Sequence, residues 1–286
     1  MAKAVPFDPN EKKTEEVEKA PETEALNPIK DIVDNNAKAQ QDDTGYIPIF
    51  DLPTKGKLYP EGTIIKARSM KVMEVKALSQ MNPKNANIIV NDVLRKCVRG
   101  IEISELYTAD KMFLVFWLRA NTYADSGFSI GFTCDKCNKS SNYDFKLSNL
   151  KTQDFEQERH NKFKAGIETP GGHKLTLKLL QTKDEEETET FLRENETTMM
   201  DFDEDVVSLT KMIVNVNGEK LGTIAKYRFL TETISPVDYA YVQSFIEEYG
   251  MGIQPTINVQ CNKCGGSSDT LLPFRGDFFL PKVRTR

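Results

Sequence analysis

The chain has 286 residues, of which 39% are hydrophobic and 28% charged, and a formal net charge of −5. Residues 1–45 carry that whole charge, with six Lys against eleven Asp and Glu, so residues 46–286 hold 32 charges of each sign. A neutral body argues against a general nucleic-acid-binding protein, and the absence of any 18-residue apolar run argues against a membrane span.

The first segment, residues 1–45, is predicted to be an acidic arm that is either flexible or ordered by a partner, because it is too polar to fold alone. Within it, Asn27 and Pro28 resemble a helix start, after which Ile29, Ile32 and Val33 share one face. We interpret these three residues as a docking helix; an unstructured tail is the alternative. No apolar signal core begins the chain, so we expect the protein to stay in the compartment where it is made.

Residues 46–149 are predicted to form a first lobe. A turn-rich segment, 51–63, precedes strand-like patterns at 64–68 and 71–75, and apolar spacing predicts a helix over 83–99 that Gly100 ends. Thr108 is expected to cap a buried helix that contains Trp117 as a core anchor. An alternating strand then leads into Cys134 and another leads out through Tyr143, Phe145 and Leu147.

A charged and largely helical connector, residues 150–166, is predicted to lead to a second lobe, residues 167–286. That lobe begins with a hairpin that turns at 170–172, followed by helices near 184–195 and 205–215. Ser235, Pro236 and Asp238 together predict the start of a helix that ends near Gly250. Strands enter Cys261 and leave through Leu272 and Phe274. The predicted fold class is therefore α+β, with short antiparallel strands and helices.

The two lobes resemble internal copies of each other. Cys134 and Cys137 form one Cys-x-x-Cys pair, and Cys261 and Cys264 form another after 123 intervening residues. Asp110 precedes the first pair by 24 residues and Asp238 precedes the second by 23, each at the start of a buried helix. This pattern predicts an internal duplication in which each lobe supplies two thiolates to one zinc-ribbon-like site.

Four cysteine thiolates in a tetrahedron suit a structural Zn²⁺ ion, and a closed site of this kind cannot activate water. Asn138 and Gly265 follow the pairs and tolerate the left-handed backbone that such a knuckle needs, while Lys136 and Lys263 could offset its negative charge. The alternatives are an iron site of the same geometry, redox-active pairs, or free thiols. Cys97 is interpreted as a small buried hydrophobic residue.

No catalytic signature is present. The sequence lacks a phosphate-binding Gly-rich loop, a His-Glu-x-x-His motif and a Gly-x-Ser-x-Gly motif. His160 and His173, the two histidines, have no evident catalytic partner. The acidic residues 201–205 start like a calcium loop, but Val206 stands where Gly is required, so they are interpreted as first-turn acids of a helix. We therefore predict neither an enzyme nor a small-molecule substrate.

Several of these segments together resemble a known family. The segment D-L-P-T-K-G-K-L-Y-P-E-G-T at 51–63, K-A-L-S-Q at 76–80, the Asp110 helix, the C-D-K-C knuckle and D-F-F-L-P near the end are similar to baseplate hub proteins of T-even-like contractile-tailed bacteriophages. The similarity spans roughly residues 50–281. The resemblance implies a structural virion protein of the tail baseplate, assembled in the host cytoplasm, whose partners are other baseplate and tail proteins.

Two other functions stay open from the sequence: a zinc-ribbon regulator that binds nucleic acid, and an assembly chaperone absent from the mature virion. At the chain's end, Phe278 and Phe279 stand beside Lys282, Arg284 and Arg286. An aromatic anchor flanked by cations is typical of interfaces, so these rings are predicted to dock a partner. The alternative is that they close the core of the second lobe.

Overall fold

The computed structural model describes residues 45–82, 84–123, 128–146, 150–196, 201–254, 256–271 and 276–280. Within them the fold is α+β, with helices and short antiparallel strands, as predicted. The acidic arm, including Ile29, Ile32 and Val33, lies outside the described residues, as do Leu147, Leu272 and Phe274.

The predicted first lobe, residues 46–149, contains a three-stranded antiparallel sheet, three helices and a hairpin. In chain order its elements are β1 (Ile47–Pro48), β2 (Lys66–Ala67), α1 (Val72–Ser79), α2 (Ala86–Cys97), β3 (Val98–Arg99), a 3-10 turn (Ile103–Glu105), α3 (Thr108–Tyr123), β4 (Phe128–Thr133) and β5 (Ser140–Phe145). The sheet order is β1-β2-β3, and β4 pairs with β5.

The predicted connector adds one strand and one helix, and the predicted second lobe then repeats the order of the first with additions. Their elements are β6 (Thr152–Gln153), α4 (Gln157–Ala165), β7 (Ile167–Glu168), β8 (Lys174–Leu177), α5 (Thr182–Asn195), α6 (Glu204–Met212), β9 (Ile213–Val216), α7 (Thr223–Arg228), a π-helical turn (Phe229–Thr233), α8 (Pro236–Tyr249), β10 (Gly252–Ile253), β11 (Thr256–Gln260), β12 (Ser267–Leu271) and a 3-10 turn (Gly276–Phe279). The second sheet has the order β7-β8-β9, and β11 pairs with β12.

One predicted strand is a helix. Residues 71–75 alternate like a strand, but Val72–Ser79 is α1. The Glu74 carboxylate accepts a hydrogen bond from the Lys71 backbone N–H and pairs with Arg68 at 2.9 Å, which stabilises the first helical turn. Two helix ends also need correction. The helix predicted over 83–99 ends at Cys97, and the one predicted over 205–215 ends at Met212, because strands β3 and β9 follow directly.

The helix-start contact recurs in the second lobe. There Lys178, the residue after β8, pairs with Asp184 at 2.5 Å, and Asp184 also accepts the Gln181 N–H. Arg68 stands directly after β2 in the same way. In both lobes, then, a cation that follows the second strand of the sheet binds an acid in the first turn of the next helix.

A second recurring contact joins a helix in each lobe to the loop between that lobe's first two strands. The two helices differ in burial: α3 is largely buried as predicted, whereas α8 buries only Asp238 and Val242, so the prediction of a buried helix there was wrong. Asp110 at the start of α3 accepts the Thr54 N–H at 3.0 Å, and Asp238 at the start of α8 accepts the Gly171 N–H at 2.7 Å. The predicted start of α8 is confirmed, because the Ser235 hydroxyl accepts the Asp238 N–H. The two lobes therefore share element order and anchoring contacts.

Two hydrophobic cores underlie the fold. The larger one surrounds α3 and includes Trp117 and Cys97, both buried as predicted. The smaller one lies between the β7-β8-β9 sheet and α8. The larger core also takes in Ile257 and Val259 from β11, so packing crosses the predicted lobe boundary.

Candidate metal centre

Each Cys-x-x-Cys pair lies at the turn of a two-stranded hairpin, which fixes its direction. The Asn138 N–H donates to Cys134 O at 2.8 Å, and the Gly265 N–H donates to Cys261 O at 2.9 Å. Asn138 and Gly265 have φ angles of 52° and 69°, the left-handed values predicted for them. Both hairpins thus form the same tight knuckle.

The two knuckles face each other, and their four sulfurs all lie within 4.8 Å of one another. The Sγ atoms of Cys134 and Cys264 are 3.7 Å apart, and those of Cys137 and Cys261 are 3.8 Å apart. A tetrahedron with Zn–S bonds of about 2.3 Å has edges of about 3.8 Å. The four cysteines are therefore close enough to bind a metal ion, and their spacing fits Zn²⁺.

Two serines cross-link the knuckles, and sequence reasoning missed both. The Asp135 N–H donates to Ser268 Oγ at 3.2 Å, and the Asn262 N–H donates to Ser141 Oγ at 3.1 Å. Each serine stands seven residues after the first cysteine of its own knuckle. That shared spacing could have revealed them. Because a backbone N–H of each knuckle binds the serine of the other, the two knuckles form the two halves of one site.

The first knuckle also packs its lysine onto the second. A Cβ atom at Gly266 would lie 2.6 Å from Cδ and 3.2 Å from Cγ of Lys136, so a larger residue there would displace the lysine stem. The Gly266 N–H donates to Cys264 Sγ at 3.4 Å. Lys136 from one lobe therefore lies beside a candidate ligand from the other, where the sequence predicted a compensating charge.

Hydrogen bonds from backbone N–H groups shift the pKa values of the cysteine thiols. The amide of Lys263 lowers the pKa of Cys261 to about 6, and that of Cys137 likewise lowers the pKa of Cys134. Although the Gly266 amide acts in the same direction on Cys264, hydrogen bonds with the three other cysteine side chains raise the pKa of Cys264 to about 11. Metal ligation requires thiolates, and the two buried sulfurs favour that form.

The prediction that Phe278 and Phe279 dock a partner needs correction. Phe278 is 5% exposed and Phe279 is 0% exposed, and both belong to the larger core. Their backbone carbonyls accept hydrogen bonds from Arg119 Nε at 2.6 Å and from the Tyr123 hydroxyl at 3.0 Å, and Phe278 packs edge-on against Phe116. The rings close the core around α3, not the core of the second lobe as the alternative supposed.

The remaining predicted residues have structural surroundings. The His160 ring lies 5.3 Å from Phe155, and burial lowers the pKa of His160; the His173 ring packs edge-on against Phe229. Asp203 caps α6 by accepting the Val206 N–H. In the described part of the chain, the four cysteines form the one group of three or more His, Cys, Asp or Glu able to hold a metal.

No helix within the described ranges combines the length and apolar character that crossing a membrane requires. The family model described as T4 bacteriophage base plate protein matches residues 45–280. The chain belongs to this family. Its match covers both lobes and both knuckles and leaves out nearly all of the acidic arm. No curated protein and no solved structure matches the chain.

The family places the protein in the tail of a phage virion, among other tail and baseplate proteins. It is a structural family, which agrees with the lack of catalytic motifs in the sequence. The four-cysteine centre lies within the matched region and brings together two hairpins, one from its middle and one near its end.

Proposed function

We propose that this base plate protein is a hub subunit of a contractile-tailed phage, which acts by docking other baseplate proteins and catalyses no reaction. The match of the base plate family over residues 45–280 carries the proposal. The resemblance of the 51–63 segment to hub proteins supports the finer assignment. The protein would be assembled in the host cytoplasm and retained in the tail.

The proposed cofactor is one structural Zn²⁺ ion, held by Cys134, Cys137, Cys261 and Cys264. Bound zinc would cross-link two hairpins that are far apart in the chain, and four sulfur ligands leave it no open position for a substrate or water. The sulfur–sulfur distances of 3.7 and 3.8 Å support this assignment. The ion therefore stabilises a docking scaffold.

We further propose that the scaffold arose by internal duplication into lobes 46–149 and 167–286, with residues 150–166 as the connector. The shared order of elements supports this, together with the paired contacts of Asp110 and Asp238 and the reciprocal serine contacts between knuckles. Two similar lobes would present related surfaces to neighbouring subunits.

Mass spectrometry of purified, infectious virions tests the proposal. We expect peptides from both lobes, at a stoichiometry comparable to that of other baseplate components. Cross-linking inside intact tails should connect them to proteins at the centre of the baseplate. Infectious particles without the protein would instead identify an assembly chaperone, and cross-links confined to the baseplate periphery would contradict the hub assignment.

A further inference from the structure

Two cations stand directly opposite each other on the solvent face of the first sheet. In the register of β2 and β3, Lys66 pairs with Arg99 and Ala67 pairs with Val98. Ala67 and Val98 are buried, which places Lys66 and Arg99 on the other face. Like charges directly opposite on neighbouring strands are destabilising, so this cationic pair, Lys66 and Arg99, favours an anion nearby.

The nearby carboxylates do not supply that anion. Glu74 is committed to Arg68, and Asp92 and Glu186 both bind Arg95. Across the residues that the structure describes, no carboxylate forms a salt bridge with either member of the cationic pair.

The acidic arm enters the fold beside this pair. The Tyr46 hydroxyl donates to Lys96 O at 2.8 Å, and the guanidinium of Arg99 lies 4.2 Å from the centre of the Tyr46 ring. Gly45, the preceding residue, has a φ of +80° and open space around it. Such a backbone allows the chain to turn sharply just before β1.

We propose that the arm folds back at Gly45 so that Asp42 and Asp43 bind the cationic pair of Lys66 and Arg99. The arm and the cationic pair have opposite charge, since residues 1–45 carry a net −5. The distance also fits. Arg99 lies two strand spacings across and two residues along from Tyr46, about 12 Å, since Pro48, Lys66 and Arg99 stand side by side. The three residues from Tyr46 back to Asp43 reach up to about 10 Å, and the side chains of the aspartate and of the two cations cover the rest.

Tethering favours this occupant over an acidic segment of another protein. A short flexible connection gives an effective concentration on the order of millimolar, so a free partner would have to compete with the arm. The exposed ion pairs would be screened by salt.

Carbodiimide cross-linking of the full-length protein, read by peptide mass spectrometry, tests the contact. We expect an amide between Lys66 and Asp42 or Asp43 within one chain. Its yield should fall at least threefold in Arg99→Gln and persist in Arg99→Lys. Arg228→Gln, which removes an exposed cation from α7, is the matched control and should leave the yield unchanged.

If Arg99→Gln does not fold, the parent protein still decides the matter. The reference is the cross-link between Lys55 and Asp154, whose ion pair spans 2.7 Å. Relative to it, the yield of the Lys66 cross-link should fall at least threefold from 50 mM to 1 M salt. These concentrations lie on either side of physiological ionic strength. Equal yields in Arg99→Gln and Arg228→Gln, a salt-independent yield, or links only between separate chains would overturn the proposal.

Discussion

Asp110 anchors the 51–63 loop to α3, and replacing it with Asn tests that anchor. The carboxylate is 0% exposed and accepts three hydrogen bonds: the Thr54 N–H at 3.0 Å, and the hydroxyls of Thr54 and Tyr59 at 2.6 Å each. The Asn side chain has the same shape but only one acceptor oxygen. At least one buried donor must then lose its partner.

The expected cost follows from that count. An unsatisfied buried donor costs about 1–3 kcal/mol. The remaining hydrogen bonds become weaker because the amide acceptor is neutral. Part of this loss is offset, since the variant no longer buries a charged carboxylate. Burial raises the pKa of Asp110, which shows that this offset exists. We therefore expect the free energy of unfolding to fall by about 1–3 kcal/mol, or roughly 3–10 °C in melting temperature for a body of this size.

Urea and thermal unfolding at neutral pH would measure the change, with Asp154→Asn as the matched control. Asp154 holds the same loop through Lys55, but its side chain is 33% exposed, so its loss should cost less than about 1 kcal/mol. The reasoning is refuted if Asp110→Asn is no more destabilising than Asp154→Asn.

Three further changes probe other contacts. Burial raises the pKa of Asp110, whereas the Gly171 amide lowers that of Asp238. Titration of Asp110 therefore adds stability at low pH that is lost as pH rises through its folded-state pKa, and titration of Asp238 adds stability that is lost as pH falls through its folded-state pKa. Phe279→Ala should lower the free energy of unfolding by about 3–5 kcal/mol, because the ring is fully buried. Lys111→Met should cost about 2–4 kcal/mol, since it leaves Glu185, 2.5 Å away, without its partner between the lobes.

Each of these has its own control. For the first, the stability difference between each Asn variant and the parent is followed across the acidic range; differences that change with pH in the same direction for Asp110→Asn and Asp238→Asn would contradict it. Leu280→Ala, at an exposed neighbour, should change stability by under about 0.5 kcal/mol; a similarly silent Phe279→Ala would restore the docking interpretation. A Lys111→Met/Glu185→Met double variant should recover much of the loss, and strictly additive losses would mean that the pair does not interact.

Local signals made the knuckles predictable from the sequence. Alternating strands, a Cys-x-x-Cys turn and a following Asn or Gly specify a tight hairpin within about a dozen residues. The same is true of α8, where Ser235, Pro236 and Asp238 specify the first turn. The repeated spacing then indicated that the two knuckles belong to one site, although they are distant in the chain.

Features set by distant residues were not predictable. The burial of Phe278 depends on Arg119, 159 positions earlier, which donates to its carbonyl. In α1, Val72 to Val75 alternate like a strand, and the helix forms because Glu74 binds both the Lys71 N–H and the Arg68 side chain. These contacts are local, three and six residues apart, so the start of α1 was missed because strand alternation was followed instead of the acid in the first helical turn.

The central claim is that four cysteines from two lobes hold one zinc ion, and metal analysis of the purified protein tests it most directly. Elemental analysis should give one Zn²⁺ per chain in the parent and in Cys97→Ala, which removes the buried cysteine outside the centre. Cys134→Ser and Cys261→Ser should each lose the ion, although they change different lobes. A metal-free parent, iron in place of zinc, or zinc retained in both serine variants would contradict the account.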